Sequence, residues 1–146
     1  MPKDNAGYPY SAAPAVTPHV GIHSKLVGIM GELERIPKRG RNLYHKYDYA
    51  TESDVADAIR PLLVKYKISH TFSVKSSSTA PHGDGVITTV EILVTLTDCD
   101  SGEFVSTLAP GTGYDSLDKG LYKAMTGALK YHALKTFVLS TGDDPE

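Results

Sequence analysis

"VITTVEILVTLT", residues 86–97, changes the period of the chain from 3.6 to 2. Every even position from Val86 to Leu96 except Thr88 is apolar, while the odd positions mix Thr with Ile87, Glu91 and Leu93. Alternation of this kind lines one face of a β-strand with core residues. Upstream, Phe72 and Val74 followed by a serine run predict a first strand, with "APHGDG" (80–85) as the loop. Downstream, "DCDSGE" (98–103) sets Asp and Gly where a turn needs them, and "FVSTLA" (104–109) returns as a third strand. The three make an antiparallel β-meander.

Helical patterns flank it, so the fold class is α+β. In "TPHVGIHSKLVGIMGELERI" (17–36), Thr17 reads as an N-cap with Pro18 at the first helical position, and Ile22, Leu26, Ile29 and Leu33 form an apolar stripe. A second helix opens at Thr51, three residues before Asp54, as a near capping box. Its buried face is Val55, Ala58, Ile59, Leu62, Leu63 and Tyr66. Pro61 within it removes a hydrogen bond and crowds the preceding turn, which predicts a kink or break.

The last helix is read from "DKGLYKAMTGALKYHALKTF" (118–137). At about 100° per residue, Leu121, Ala124, Met125 and Ala128 share a core-facing arc, with Leu129 and His132 at its edge. Lys119, Lys123, Thr126 and Lys130 cluster on the opposite arc, and Lys135 lies further round. The segment holds no acid after Asp118. A solvated helix face usually mixes Glu with Lys, because such pairs stabilise it, so the missing acids point to an anionic partner.

At 146 residues the chain is one domain's worth. Residues 1–18, rich in Pro, Ala and Gly, read as a flexible arm, leaving 19–146 as the core domain. The net charge of −2 carries no argument for nucleic acid, but its distribution does. Residues 36–75 hold eight Lys and Arg against four acids; 76–118 hold seven acids and no Lys or Arg; 119–135 hold four Lys and no acid. One basic groove and one acidic flank are expected. The single cysteine, Cys99, excludes an internal disulfide framework and fits a reducing compartment. No apolar run is long enough to span a membrane.

Enzyme chemistry finds little support. "GTGYDS" (111–116) resembles a phosphate loop only weakly, since neither Gly111 nor Gly113 is followed as a nucleotide-binding loop requires. Turn geometry, with Asp115 or Ser116 capping the helix, is the expectation. Asp98, Asp100 and Glu103, with Asp143, Asp144 and Glu146, raise the case for a metal-dependent nuclease. The first three sit in or beside a turn, where Asp is commonplace. The six histidines show no paired spacing. No catalytic or metal-ligating residue is assigned.

"RNLYHKYDYA" (41–50) is different, because aromatic and basic residues interleave. Lys and Arg neutralise phosphates, and a tyrosine ring stacks on any base without reading sequence. Arg41, Tyr44, Lys46, Tyr47 and Tyr49 therefore join Lys119, Lys123, Lys130 and Lys135 as candidate DNA contacts. The alternative for the tyrosines is packing against the second helix.

"GTGYDSLDKGLYKAMTGALKYHALKTFVLSTGDDPE" (111–146) resembles the signature end of the Erf (essential recombination function) family of phage single-strand annealing proteins. The resemblance rests on Gly113, Asp115, Asp118, Lys119, Lys123, Ala124, Thr126, Ala128, Lys130, Tyr131, Leu134, Phe137, Gly142, Asp143 and Asp144. "YHKYDYATESDVADAIRPLL" (44–63) is similar to an earlier family element, and the likeness spans roughly residues 22 to 146. Gly127 departs from it, standing where the family more often has a bulkier residue. The resemblance implies the helix-flanked β-meander of the eukaryotic Rad-type annealing protein and assembly into rings or filaments. It also implies ATP-independent annealing in the cytoplasm of an infected or lysogenic bacterial host, with no cofactor. The implied partners are single-stranded DNA, its complement, further copies of the chain and a single-strand-binding protein. The lysine face then looks onto a groove for the sugar-phosphate backbone, with bases facing outward. A scaffold without DNA binding and a metal-dependent nuclease stand as the alternatives.

Overall fold

A computed structural model of the chain describes residues 21–142. Thr17 and Pro18, read as a helix start, and Asp143 and Asp144 lie outside the described residues. The elements run α1 (Ile22–Glu32), β1 (Gly40–Asn42), β2 (Tyr47–Tyr49), α2 (Glu52–Tyr66), β3 (Ile68–His82), β4 (Gly85–Asp98), β5 (Phe104–Asp115) and α3 (Gly120–Thr136). The fold is α+β, with an antiparallel sheet ordered β3-β4-β5 and a separate two-stranded β1-β2 hairpin.

β4 is central, and its alternation is the one read from the sequence: Thr88, Val90, Ile92, Val94 and Leu96 are buried in turn. The outer strands are longer than their sequences suggest. Beyond a bulge between Val74 and Ser76, the serine run stays paired with β4, and the expected loop at 80–85 contracts to a two-residue turn between His82 and Gly85. Gly83 takes the positive φ of +58° that so tight a hairpin needs. β5 also runs through "PGTGYD", where a loop was expected, because β4 supplies backbone partners as far as Asp115.

The glycines of that stretch serve packing. α3 crosses β4 and β5 so closely that a Cβ on Gly113 would stand 2.5 Å from the Gly120 carbonyl oxygen, and one on Gly111 would collide with the Ala124 carbonyl. With small residues on both sides, α3 buries Gly120, Ala124, Ala128 and Leu134. Leu121, placed on the core arc by helical spacing, is 37 % exposed, and Met125 only packs against the edge of the core. The seam selects the side chains that permit close approach, not the most apolar ones.

A second core cluster joins α1, α2 and the end of α3, centred on Ile22, Ile29, Ile36, Val55, Ile59, Ile68 and Phe137. Helix α2 begins with a full capping box: the Thr51 hydroxyl accepts from the Asp54 N–H at 3.1 Å, and an Asp54 carboxylate oxygen accepts from the Thr51 N–H at 2.8 Å. The helix continues through Pro61 without the expected break. Asp57 and Pro61 both lie exposed, so water can reach the carbonyl that Pro61 leaves unpaired. It closes on Lys67 in the left-handed conformation, φ +56°.

The β4–β5 turn is clasped to α1. Asp98 is wholly buried and accepts from the Lys25 ammonium at 2.6 Å, from Ser101 Oγ at 2.8 Å and from the Asp100 N–H at 3.1 Å. The same ammonium reaches Asp100 at 2.7 Å. Bonded by Lys25 first and Ser101 next, the Asp98 carboxyl is held down at about 2. These acids are committed to structure, and among the described residues no group of His, Cys, Asp and Glu could hold a metal ion. No helix among them is long and apolar enough to cross a membrane.

Candidate nucleic-acid interface

The hairpin presents its tyrosines to solvent instead of packing them on α2. Asn42 Oδ1 accepts from the N–H groups of Tyr44 and His45 at 3.0 and 2.9 Å, and Lys46 takes a φ of +55° to complete the turn. Arg41 pairs with Asp48 across the strands at 2.9 Å. Tyr47 and Tyr49, two residues apart on one face of β2, are 51 % and 39 % exposed with ring centroids 6.0 Å apart. The base of the hairpin is fixed to α2 through Asp54, which accepts from the Arg39 N–H at 3.3 Å as well as from Thr51. That carboxyl lies below its ordinary value, chiefly through the Thr51 N–H.

α3 faces this hairpin across two open grooves that meet at Lys130. One, of about 810 Å³, runs between the hairpin and the end of α3, with Arg41, Tyr47, Tyr49, Lys130 and Tyr131 among its walls. The other, of about 750 Å³, runs between the start of α2 and the first half of α3, past Glu52, Lys119, Tyr122, Lys123 and Thr126. Six of the nine residues singled out in the sequence, Arg41, Tyr47, Tyr49, Lys119, Lys123 and Lys130, line the grooves. Tyr44 and Lys46 belong to the hairpin tip, and neither they nor Lys135 lines either groove.

The lysine face is less bare than its own helix implies. Lys123 donates to Asp115 at 2.5 Å and to the Tyr114 carbonyl at 3.1 Å. Asp115 in turn accepts from the N–H groups of Leu117 and Lys119, so it organises the loop before α3, while the helix itself starts without a side-chain cap. Lys123 first, then those two N–H groups, hold the Asp115 carboxyl down at about 2. Glu52 and Asp118 also line the second groove. Among the described residues, the first groove has Lys38, Arg41, Lys130 and Asp48 as its charged walls, and it is the more aromatic of the two, with Tyr47, Tyr49 and Tyr131.

Lys130 is half-buried between them. Its ammonium donates to the Ala50 carbonyl at 3.2 Å and lies 4.8 Å from the Tyr131 ring centroid and 5.5 Å from that of Tyr49. Burial lowers its pKa below the ordinary lysine value, with Glu52 opposing the shift. Three wall residues were not among the candidate DNA contacts read from the sequence: Lys38, Tyr122 and Tyr131. Tyr122 was within reach, because helical spacing sets it three residues from Lys119 and four from Thr126 on the same arc.

The sequence profile of the ERF superfamily matches residues 22–146. The chain belongs to the ERF superfamily. No curated protein matches it. The ERF match takes in the hairpin, α2, the whole sheet and α3, and so every residue of both grooves. Within this ERF chain the glycines that look like a phosphate loop are occupied by α3, leaving Gly111 and Gly113 no room to cradle a phosphate.

Proposed function

We propose that this ERF protein is an ATP-independent single-strand annealing protein of the phage type. Residues 19–146 act as the binding core, in the cytoplasm of an infected or lysogenic bacterial host. The core holds one DNA strand while Watson–Crick pairing with a complementary strand supplies the free energy. The observation that carries the reading is the meeting of exposed tyrosines and basic side chains across one open groove. Cations on a groove wall neutralise phosphates, and aromatic faces accept bases of any identity, which is the chemistry of sequence-tolerant single-strand binding. Arg41 and Lys119 are the phosphate contacts in this reading, while Lys123 is held by Asp115. No catalytic group and no cofactor enter it. ERF membership supports the annealing role.

Assembly into rings or filaments belongs to the same proposal. β3 is a 15-residue edge strand, exposed along its length after Ile68, and its outer backbone groups have no partner within the described sheet. Such an edge is a template for pairing with another chain.

The test is annealing of two complementary oligonucleotides without ATP or metal, with Lys119→Ala beside wild type and the assembly size of both recorded. Acceleration by wild type that weakens in an equally assembled variant supports the reading. Absence of acceleration by wild type refutes it and favours a scaffold.

A further inference from the structure

We propose that Tyr49 and Tyr131 form a two-ring platform for unpaired nucleobases, and that Lys130 positions the rings instead of meeting phosphate. The inference rests on the single-strand reading above and gives a base-binding role to residues on the groove wall.

The ammonium of Lys130 is already engaged. It donates to the carbonyl of Ala50, a buried residue at the β2–α2 junction, and it lies near two ring faces at once. A cation over a tyrosine ring gains from the ring's electron density, and gains more when partly desolvated, as this one is. Leaving for a phosphate forfeits the carbonyl and both rings. Lys119, by contrast, is exposed at the start of the helix.

The rings remain accessible. Tyr131 is 49 % exposed, Tyr49 39 %, and both line the 810 Å³ groove. A base reaches the exposed part of each ring, and the Tyr47 ring extends the surface 6.0 Å beyond Tyr49. The ligand class that fits is the unpaired base of a single strand, because a base within a duplex offers its faces only to its neighbours. Bases on this platform face the protein, not solvent.

The experiment compares a labelled single-stranded oligonucleotide with an abasic strand carrying the same number of phosphates, each titrated over a range of salt. Wild type is expected to bind the abasic strand about tenfold more weakly, the order of one base–aromatic stack. Tyr131→Leu, at an exposed position, removes that preference, and Tyr131→Phe, which keeps the ring, retains it. Lys130→Met also loses the preference while the slope of log affinity against log salt is unchanged. A fall of about 0.7 in that slope for Lys130→Met marks a lost phosphate contact and overturns the positioning role. Equal binding of both strands by wild type, or Tyr131→Leu keeping the preference, overturns the platform. Wild type with no salt-dependent binding to either strand overturns the single-strand reading itself.

Discussion

The ammonium of Lys123 lies 2.5 Å from Oδ1 of Asp115, so an acid outside α3 answers a lysine inside it. Within the helix the lysine face has no acid neighbours, and the acid arrives from the end of β5, folded back over the first turn. Asp115 therefore joins Glu52 and Asp118 in holding the cationic character of the second groove in check.

Asp115→Asn removes that charge while an amide oxygen can still accept from the Leu117 and Lys119 N–H groups. Lys123 then becomes available to phosphate. Affinity for single-stranded DNA is expected to rise at low salt, with the slope of log affinity against log salt steeper by about 0.7. Fluorescence-polarisation titrations across a salt series read both quantities.

Lys119→Ala is expected to make the same slope shallower by about 0.7, and Lys135→Ala to leave it unchanged. Lys119 lines the second groove, whereas Lys135 lines neither. Equal effects of the two changes would show that net charge, not the groove, attracts the strand.

Acid should unfold the protein through Asp98 and Asp115, both held at about 2 in the folded chain against an ordinary 3.8. Because the folded values are depressed, the unfolded chain takes up protons first as pH falls. The stability these carboxylates contribute is complete above about pH 5, and it is lost as pH falls from about 4 through about 2. Urea midpoints should be flat at higher pH and drop across that interval, and Asp98→Asn should make the drop shallower.

Gly113, in the seam, and Gly127, on the groove side of α3, should respond to alanine in opposite directions. Gly113→Ala sets a methyl 2.5 Å from the Gly120 carbonyl oxygen and 2.6 Å from the Ala124 nitrogen, and overpacking against backbone costs on the order of 1–3 kcal/mol. Gly127→Ala meets nothing within 4 Å and should stabilise the helix by roughly 0.5–1 kcal/mol. Urea denaturation of the two variants gives both values.

What could be read from the sequence was what local spacing encodes. The alternation of β4, the Thr51–Asp54 cap and the exposed mixture of Arg41, Tyr47 and Tyr49 each depend on residues a few positions apart. What escaped depends on distant partners. Gly, Pro and Ser are poor strand formers, so nothing local in "PGTGYD" or the serine run says that β4 will hold them extended. The α3 seam required knowing that Gly111 and Gly113 would lie beneath it, and this demoted Leu121 from the core. Lys25 and Asp98 are separated by 73 positions, and their pairing turned a carboxylate that suggested metal chemistry into a clasp. Tyr131 follows a lysine already singled out, yet its role emerges only with Tyr49 across the groove.

The two walls of the interface differ in stiffness. Helix α3 meets the sheet through Gly111, Gly113, Gly120, Ala124 and Ala128 with no cushion of side chains between them, so it can neither roll nor slide to follow an incoming strand. The hairpin opposite consists of two three-residue strands paired only with each other among the described elements, and an isolated ribbon of that size is marginally stable. One jaw is fixed and the other yields. Adjustment to strands of differing sequence and stacking therefore falls on the tyrosine hairpin, while the helix keeps its place.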